Sequence, residues 1–447
     1  MDDVRRMDVD VSLANRHREG AVDEAAAARL TERGLALRVV PHERPAYDDW
    51  LQASARGFLD SERTEEQIAA ALERSSYRRL LGVYDPSSPQ EDVPVGTFAT
   101  WLDDLALPGG VVVPAVAVSA VTVSPTHAGR GIARAMMEGE LRHAVRLGVP
   151  IAALTVSEST LYGRYGFGSA VTAATWTIET RRAGWVGPEA TGRVDYISRE
   201  LARSLAPGLH ARVLASRPGE LAMPESHWGR FTGTDADAEK PGAVRAVQYA
   251  DAAGRVQGLA MYTVTENEDD FTKATVRVQY LLAADDEAYA GLWRFLLSLP
   301  LVATVTASEL STDEPLLWMI ADQRAVRIGL TDHHYVRILD VPGVLGARRY
   351  ASPGQLVLEV ADPLGISEGR WLLEAAENGE GGIVSAEGVD TGDVPVLRTG
   401  TTELSAMCLG GVSPAALAAA GRIEATDVAT VARMLGWHVP PRLSFWY

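Results

Sequence analysis

The sequence predicts a mixed α+β chain of several domains, and three observations carry that expectation. Its length, 447 residues, exceeds what a single hydrophobic core supports. Between Val121 and Val156 an apolar strand, a glycine turn opening a helix and a second apolar strand follow one another. Pro-Gly turns between Val341 and Gly354 then mark a late boundary.

Residues 1–34 read as a charged, Ala-rich N-terminal extension with one short helix at Ala21 to Arg33, partly mobile. A first domain over 35–170 opens with a strand at Leu35 to Val40. Amphipathic helices follow near Tyr47 to Leu59 and Glu65 to Arg74, then strands at Leu80 to Tyr84, Val95 to Leu102 and Val112 to Val123. The helix Gly131 to Leu147 carries Ala133, Met137, Leu141 and Ala144 as a core-facing stripe, and strand Ile151 to Val156 closes the unit. A second domain over 171–330 mixes strands at Val244 to Tyr249, Gly258 to Val264 and Ala274 to Leu281 with a helix at Glu287 to Leu299, and no Gly-x-Gly turn precedes a helix there. The third, 331–447, has strands near Gln355 to Val360, Trp371 to Ala375 and Ile383 to Glu387, then helices starting near Ser413-Pro414 and Thr426-Asp427.

Composition narrows the function. Net charge is −17, which disfavours nucleic acid as a partner and is compatible with cationic small molecules, although solubility alone also favours an acidic surface. The apolar run Leu105 to Val123 is broken by Pro108, Gly109, Gly110 and Pro114, so no membrane span is expected. No secretion signal is read at Met1-Asp2-Asp3-Val4-Arg5-Arg6, and a cytoplasmic location is expected. The single cysteine, Cys408, excludes an internal disulfide and reads as a buried apolar thiol. No His/Cys/Asp cluster has metal spacing, His333-His334 included, so no metal is expected. Only Lys240 and Lys273 among 42 basic residues are lysine, a bias typical of GC-rich genomes.

The informative stretch is Val121-Thr122-Val123-Ser124-Pro125-Thr126-His127-Ala128-Gly129-Arg130-Gly131-Ile132-Ala133, with Ser157-Glu158-Ser159-Thr160-Leu161-Tyr162-Gly163-Arg164-Tyr165-Gly166-Phe167 beyond the helix. A glycine turn opening a helix leaves convergent backbone N–H groups at the positive end of the helix dipole, a cradle for a diphosphate. Neither the P-loop nor the dinucleotide pattern is present. The segment Ala128 to Ala133 resembles the acyl-CoA motif of GNAT acetyltransferases, with Ala128 where that family usually has Arg or Gln. The longer string Val-x-Pro-Thr-His-x-x-Arg-Gly followed by Ser-Glu-x-x-x-Tyr-Gly-Arg-Tyr-Gly-Phe-Gly resembles the Eis family of actinobacterial acetyltransferases, in detail over roughly Ala46 to Ala170.

That resemblance implies two tandem GNAT-like domains, the second without cofactor, and a sterol-carrier-like C-terminal domain. It also implies acetyl-CoA as co-substrate and assembly as a homohexamer. The expected activity is N-acetylation of aminoglycoside-like cationic amines, at several positions and with antibiotic resistance as its consequence. A protein or peptide lysine acetyltransferase and a non-enzymatic acyl-CoA or lipid-binding protein are the alternatives.

Backbone groups at Val121, Thr122 and Val123 would hold the thioester carbonyl. Those of Gly129, Arg130, Gly131, Ile132, Ala133 and Arg134 would hold the diphosphate, with Ser157 and Glu158 bordering the cofactor; Glu158 could equally be a solvated helix-cap acid. Tyr162 matches the family's general acid, a role a phenol of pKa near ~10 can fill at neutral pH; Tyr165 competes, or packs in the core. The chain ends Phe445-Trp446-Tyr447 after Pro440-Pro441, and the resemblance makes the Tyr447 α-carboxylate the base, whereas the aromatics could also merely dock the tail. Tyr447 stands where the family typically has Phe, and Trp446 where some relatives place a substrate-binding acid. Asp60 would line the acceptor cleft or cap the preceding helix, and His127 reads as a residue that stabilises the turn.

Overall fold

The computed structural model describes residues 10–447. Residues 1–9 of the N-terminal extension lie outside the described residues, whereas the rest of it folds against the core. Helix α1 (Val11–Glu19) is capped by Asp10 and α2 (Glu24–Thr31) by Asp23. Ala26 and Leu30 of α2 are fully buried. The helix expected at Ala21 to Arg33 is α2, whereas α1 before it was not expected, and both are packed rather than loose.

The chain then forms β1 (Ala36–Val40), α3 (Ala46–Gly57), α4 (Glu65–Arg74), β2 (Arg79–Tyr84), β3 (Gly96–Leu107), β4 (Val111–Val123), α5 (Ile132–Arg146), β5 (Ile151–Thr155) and the short α6 (Ser159–Tyr162). Here β3 and β4 are longer than expected, because the Pro108 to Gly110 turn joins them as a hairpin in register from Leu107↔Val111 to Gly96↔Val123. The predicted stripe on α5 holds at Met137, Leu141 and Ala144. Residues on its other side, Ala135, Met136, Glu138, Gly139 and Glu140, are buried as well. Glu138 and Gly139 are covered by α2: Arg29 pairs with Glu138, and a Cβ added to Gly139 would lie 2.9 Å from that of Ala26. Arg79, buried, ties α5 and α1 down through Glu140 at 3.0 Å and the His17 carbonyl at 3.3 Å.

A second unit spans Thr172–Asp332 and Arg442–Trp446. Its elements are β6 (Gly168–Glu179), α7 (Thr180–Ala183), β7 (Arg193–Ile197), α8 (Arg199–Val213), α9 (Trp228–Thr232), β8 (Arg245–Ala250), β9 (Val256–Thr265), β10 (Ala274–Ala283), α10 (Asp286–Leu297), β11 (Val302–Leu310) and the first half of β12 (Val326–Ile338). Sheet order is β6-β11-β10-β9-β8-β7, with β10 and β11 parallel across α10. Strand β12 passes into the first unit at His333, so the expected cut at 330/331 falls inside a strand.

Within the first unit the sheet runs β1-β2-β3-β4-β5-β12; only β4 and β5 are parallel. The same unit contains α11 (Val341–Leu345), β13 (Gly354–Ala361), β14 (Gly369–Ala375), β15 (Gly381–Ser385), β16 (Val396–Gly400), α12 (Thr401–Met407), α13 (Pro414–Ala419), β17 (Glu424–Ala425) and α14 (Val428–Leu435). They build a sheet of order β15-β14-β13-β16-β17. Arg348, fully buried, donates to the carbonyls of Cys408 at 2.8 Å and Leu435 at 3.1 Å, satisfying the ends of α12 and α14. Cys408 itself is buried and burial pushes its thiol up to about 12. No described helix is long and apolar enough to cross a membrane, and no described group of His, Cys, Asp and Glu could hold a metal.

Candidate active site

The site is assembled on both faces of one parallel strand pair. Strands β4 and β5 pair only from Ala115↔Ile151 to Val118↔Leu154. Beyond that Ala120 takes a left-handed φ of 50°, and Thr122 and Val123 stay paired with Thr97 and Gly96 of β3. On the side of β5 no partner follows beyond Val118 among the described residues, so the backbone of Val121 to Val123 edges a wedge between diverging strands. The Thr122 side chain is hydrogen-bonded to Thr97 Oγ1 at 2.7 Å.

The turn at the mouth of this wedge has two glycines in the left-handed region, Gly129 at φ 76° and Gly131 at φ 73°. Only glycine adopts that conformation cheaply. No atom lies within 4 Å of where a Gly129 Cβ would sit, so the loop is open there. The first intrahelical bond of α5 is Ala135 N–H to Gly131 O, so the amides of Ile132, Ala133 and Arg134 lack helical acceptors. Beneath the turn, His127 Nε2 lies 3.0 Å from Asp85 Oδ2 and its Nδ1 2.8 Å from Thr126 Oγ1, and Arg130 reaches the same carboxylate at 3.4 Å. Hydrogen bonds from Ser87 and then His127 hold Asp85 well below the usual carboxylate range. His127 is thus a brace of the turn, as read from the sequence.

After β5, Glu158 occupies the N-cap position of α6, but its exposed side chain makes no capping bond. Tyr162 is 9% exposed. Burial raises its phenol above 10, partly offset by a hydrogen bond with Ser157. Tyr165 is also buried, its phenol raised by burial and set in the fields of Arg164, Glu138 and Arg134. The turn carrying both rings is backed by α12: Thr402 Oγ1 donates to Gly163 O at 3.1 Å, and a Cβ on Gly168 would strike the Thr402 carbonyl. Arg337 fills the space beside Gly166 and pairs with Asp362 at 2.7 Å, both buried.

The opposite face of the strands follows from register alone. Ala99 opposes Ser119, and Thr155 opposes His334; one step along, Trp101 opposes Ala117, Ala117 opposes Ala153, and Ala153 opposes Val336. Alternation puts these side chains on one face, with alanines as a low floor. Tyr447 lies on it. Thr155 Oγ1 donates to the Tyr447 main-chain oxygen at 2.6 Å, its hydroxyl is 2.8 Å from His334 Nε2, and its ring meets Trp101 edge-on at 5.1 Å. Two residues beyond Trp101, Asp103 shares this face, and burial lifts its carboxyl to about 7. Sequence reading missed Asp85, Asp103, Thr155 and His334. His333 and His334 are buried strand residues.

Two further candidates are exposed. Asp60 is exposed in the α3 to α4 loop and paired with Arg63 at 2.6 Å, next to Leu59 at φ 62°. Trp446, 41% exposed, belongs to the second unit, whereas Tyr447 belongs to the first.

Comparison with known proteins gives this geometry a family. Residues 40–170 and 219–338 each match a family described as "Acetyltransferase (GNAT) domain", and 341–444 match "Sterol carrier protein domain". The N-acetyltransferase Eis of Mycobacterium bovis is 31% identical over 87% of this chain and 94% of its own length. The chain belongs to the Eis family of GNAT N-acetyltransferases. A Streptomyces avermitilis protein named "Uncharacterized N-acetyltransferase" is 35% identical over 84% of this chain and 90% of its own. The crystal structure of Eis1 from Mycobacterium abscessus shares the fold with a TM-score of 0.79 at 24% identity, covering 92% of this chain and all of that one. As an Eis-family member the chain is an acetyl-CoA-dependent N-acetyltransferase with two GNAT domains and a sterol-carrier-like domain. In its second GNAT domain the parallel pair β10 and β11 is joined by α10, whose N-terminus is capped by the Asp285 side chain on Ala288 N at 2.8 Å. A carboxylate thus occupies that helix end where the first domain has open glycine amides.

Proposed function

We propose that this enzyme transfers acetyl from acetyl-CoA to the amines of aminoglycoside-like cationic compounds, using Tyr162 as general acid and the Tyr447 α-carboxylate as base. The observation that carries the reading is the wedge between β4 and β5. On one side it has a nest of two left-handed glycines, beyond it a buried phenol, and on the adjoining face a main-chain terminal oxygen held by Thr155.

In this reading the amides of Gly129 to Arg134 take the diphosphate and the backbone of Val121 to Val123 polarises the thioester carbonyl. Ser157 orients the Tyr162 hydroxyl, which protonates the departing thiolate, and Glu158 borders the cofactor. The Tyr447 carboxylate takes the proton of the attacking amine, directly or through water. Asp60 edges the acceptor region, and the sterol-carrier-like domain presents the terminus. The second GNAT domain does not bind acetyl-CoA, a view supported by the Asp285 cap, and the enzyme assembles as a homohexamer.

The test is thiol release from acetyl-CoA with a panel of amines. Turnover with tobramycin above that with a lysine peptide supports the reading. The reverse order makes the chain a protein acetyltransferase, and binding without turnover makes it an acyl-CoA-binding protein. Acetylation at several positions would show as successive mass increments on the aminoglycoside.

A further inference from the structure

Helices α2 and α5 pack antiparallel, and their contacts form rungs in strict order. Asp23 takes Arg142 at 2.6 Å and Arg146 at 2.8 Å, and Ala26 faces Gly139. Arg29 meets Glu138 at 2.7 Å, which also holds Arg134 at 2.6 Å. The next rung is Arg33, whose guanidinium donates to the carbonyl oxygen of Arg130. Residues 23, 26, 29 and 33 advance by three or four, so they share one face of α2 and its continuation. The register of two buried helices thus delivers Arg33 to the glycine turn. The match to the GNAT family begins only at residue 40, past this hairpin.

In a trans peptide the C=O and the following N–H point in opposite directions. Holding the Arg130 carbonyl toward α2 therefore turns the Gly131 N–H away from α2, into the concavity of the nest. A Cβ at Gly131 would lie 2.5 Å from Arg33 Nη1, so a side chain there would displace the guanidinium. We propose that the N-terminal helical hairpin is part of the donor site, with Arg33 as a positioning residue that fixes the Arg130–Gly131 peptide and adds positive charge beside the diphosphate of acetyl-CoA. The inference rests on the reading of Gly129 to Arg134 as the diphosphate cradle.

The experiment compares CoA binding by calorimetry, steady-state kinetics and melting temperature in the full chain. Arg33→Ala should weaken CoA and raise the acetyl-CoA KM about tenfold, the scale of a lost hydrogen bond from a charged donor. Its kcat at saturating donor, acceptor KM and melting temperature should stay near wild type, and its CoA affinity should fall less steeply with salt. Arg33→Lys, which keeps the charge and one donor, should recover part of the loss. Arg29→Ala breaks the neighbouring rung, and should lower the melting temperature while weakening CoA much less than Arg33→Ala does. Wild-type CoA affinity in Arg33→Ala, or an equal loss in Arg29→Ala, overturns the inference. Gly131→Trp obstructs the turn itself: if it too binds CoA normally, the cradle reading fails; if only Arg33→Ala does, the inference fails alone.

Discussion

In the proposed mechanism single groups decide the chemistry, and the two assigned to proton transfer are separable by substitution. Tyr162→Phe removes the hydroxyl while keeping the ring that meets Phe167 edge-on at 6.2 Å. Turnover should fall about 10²-fold, with acceptor KM and melting temperature little changed; the same loss in Tyr165→Phe instead would transfer the role. Because burial raises the Tyr162 phenol from its ordinary value, its own ionisation should cause no loss of turnover between pH 7 and 9. At the terminus, Tyr447→Phe forfeits the His334 bond but retains the carboxylate on Thr155, and should keep turnover within a few-fold of wild type. One glycine appended after Tyr447 moves the charge by about 3.5 Å. Since misplacing a catalytic group by ~1 Å can cost about 10²-fold, that variant should lose at least as much turnover. Full activity in the extended variant would exclude the carboxylate as base. Tyr162 was legible as a candidate because its motif is contiguous. Thr155, His334 and Trp101 were not, since they become neighbours of Tyr447 only through strand register, and Thr155 is 292 positions away from it.

At the scale of elements, the α2 to α5 pairing has its own pH response. Burial disfavours the Asp23 carboxylate, yet the bonds from Arg142 and Arg146 outweigh it and lower the group to about 2 from an ordinary 3.8. A depressed acid contributes stability above its unfolded pKa and loses it as pH falls through the folded one. The hairpin should therefore loosen between about pH 4 and pH 2, seen as faster amide exchange in residues 10–34, and Asp23→Asn should show that exchange already at pH 7. Unchanged protection in Asp23→Asn would remove these ion pairs as the anchor. The sequence showed the buried stripe of α5 but not its burial on the opposite side. Glu138, Glu140 and His143 look like solvated residues until Arg29, Arg79 and His17 arrive from elsewhere to pair with them. Long β3 and β4 escaped for a related reason, as Pro108-Gly109-Gly110 reads as a break when it is the tip of a hairpin.

Over the whole molecule, the order of two acetyltransferase-like domains and a sterol-carrier-like domain was readable from one motif and its family likeness. The parts that depend on distant pairing were not. Strand β12 carries polar Arg327, Asp332, His333 and His334 and gave no strand signal, yet its second half completes the first sheet beside β5. The same strand supplies Arg337, whose buried pair with Asp362 links that sheet to the sterol-carrier-like domain. Removing one partner of a buried ion pair leaves the other charge uncompensated, at a cost of about 3–5 kcal/mol. Asp362→Ala should accordingly lower stability in denaturant by that order, and turnover should fall with it as the Tyr162 turn loses its backing. A variant with unchanged midpoint would show that the pair is dispensable.

The buried thiol of Cys408 has a practical consequence for assays of this enzyme. With its ionisation pushed up to about 12, only about one molecule in ten thousand carries a thiolate at pH 8, and that sulfur is enclosed. Chromogenic disulfide reagents added to a reaction should therefore report released coenzyme alone, with no background from the native protein and no inactivation by it. A cysteine engineered at any exposed position would then be the sole point of dye attachment, leaving movements of the C-terminal tail open to fluorescence without first removing a native thiol.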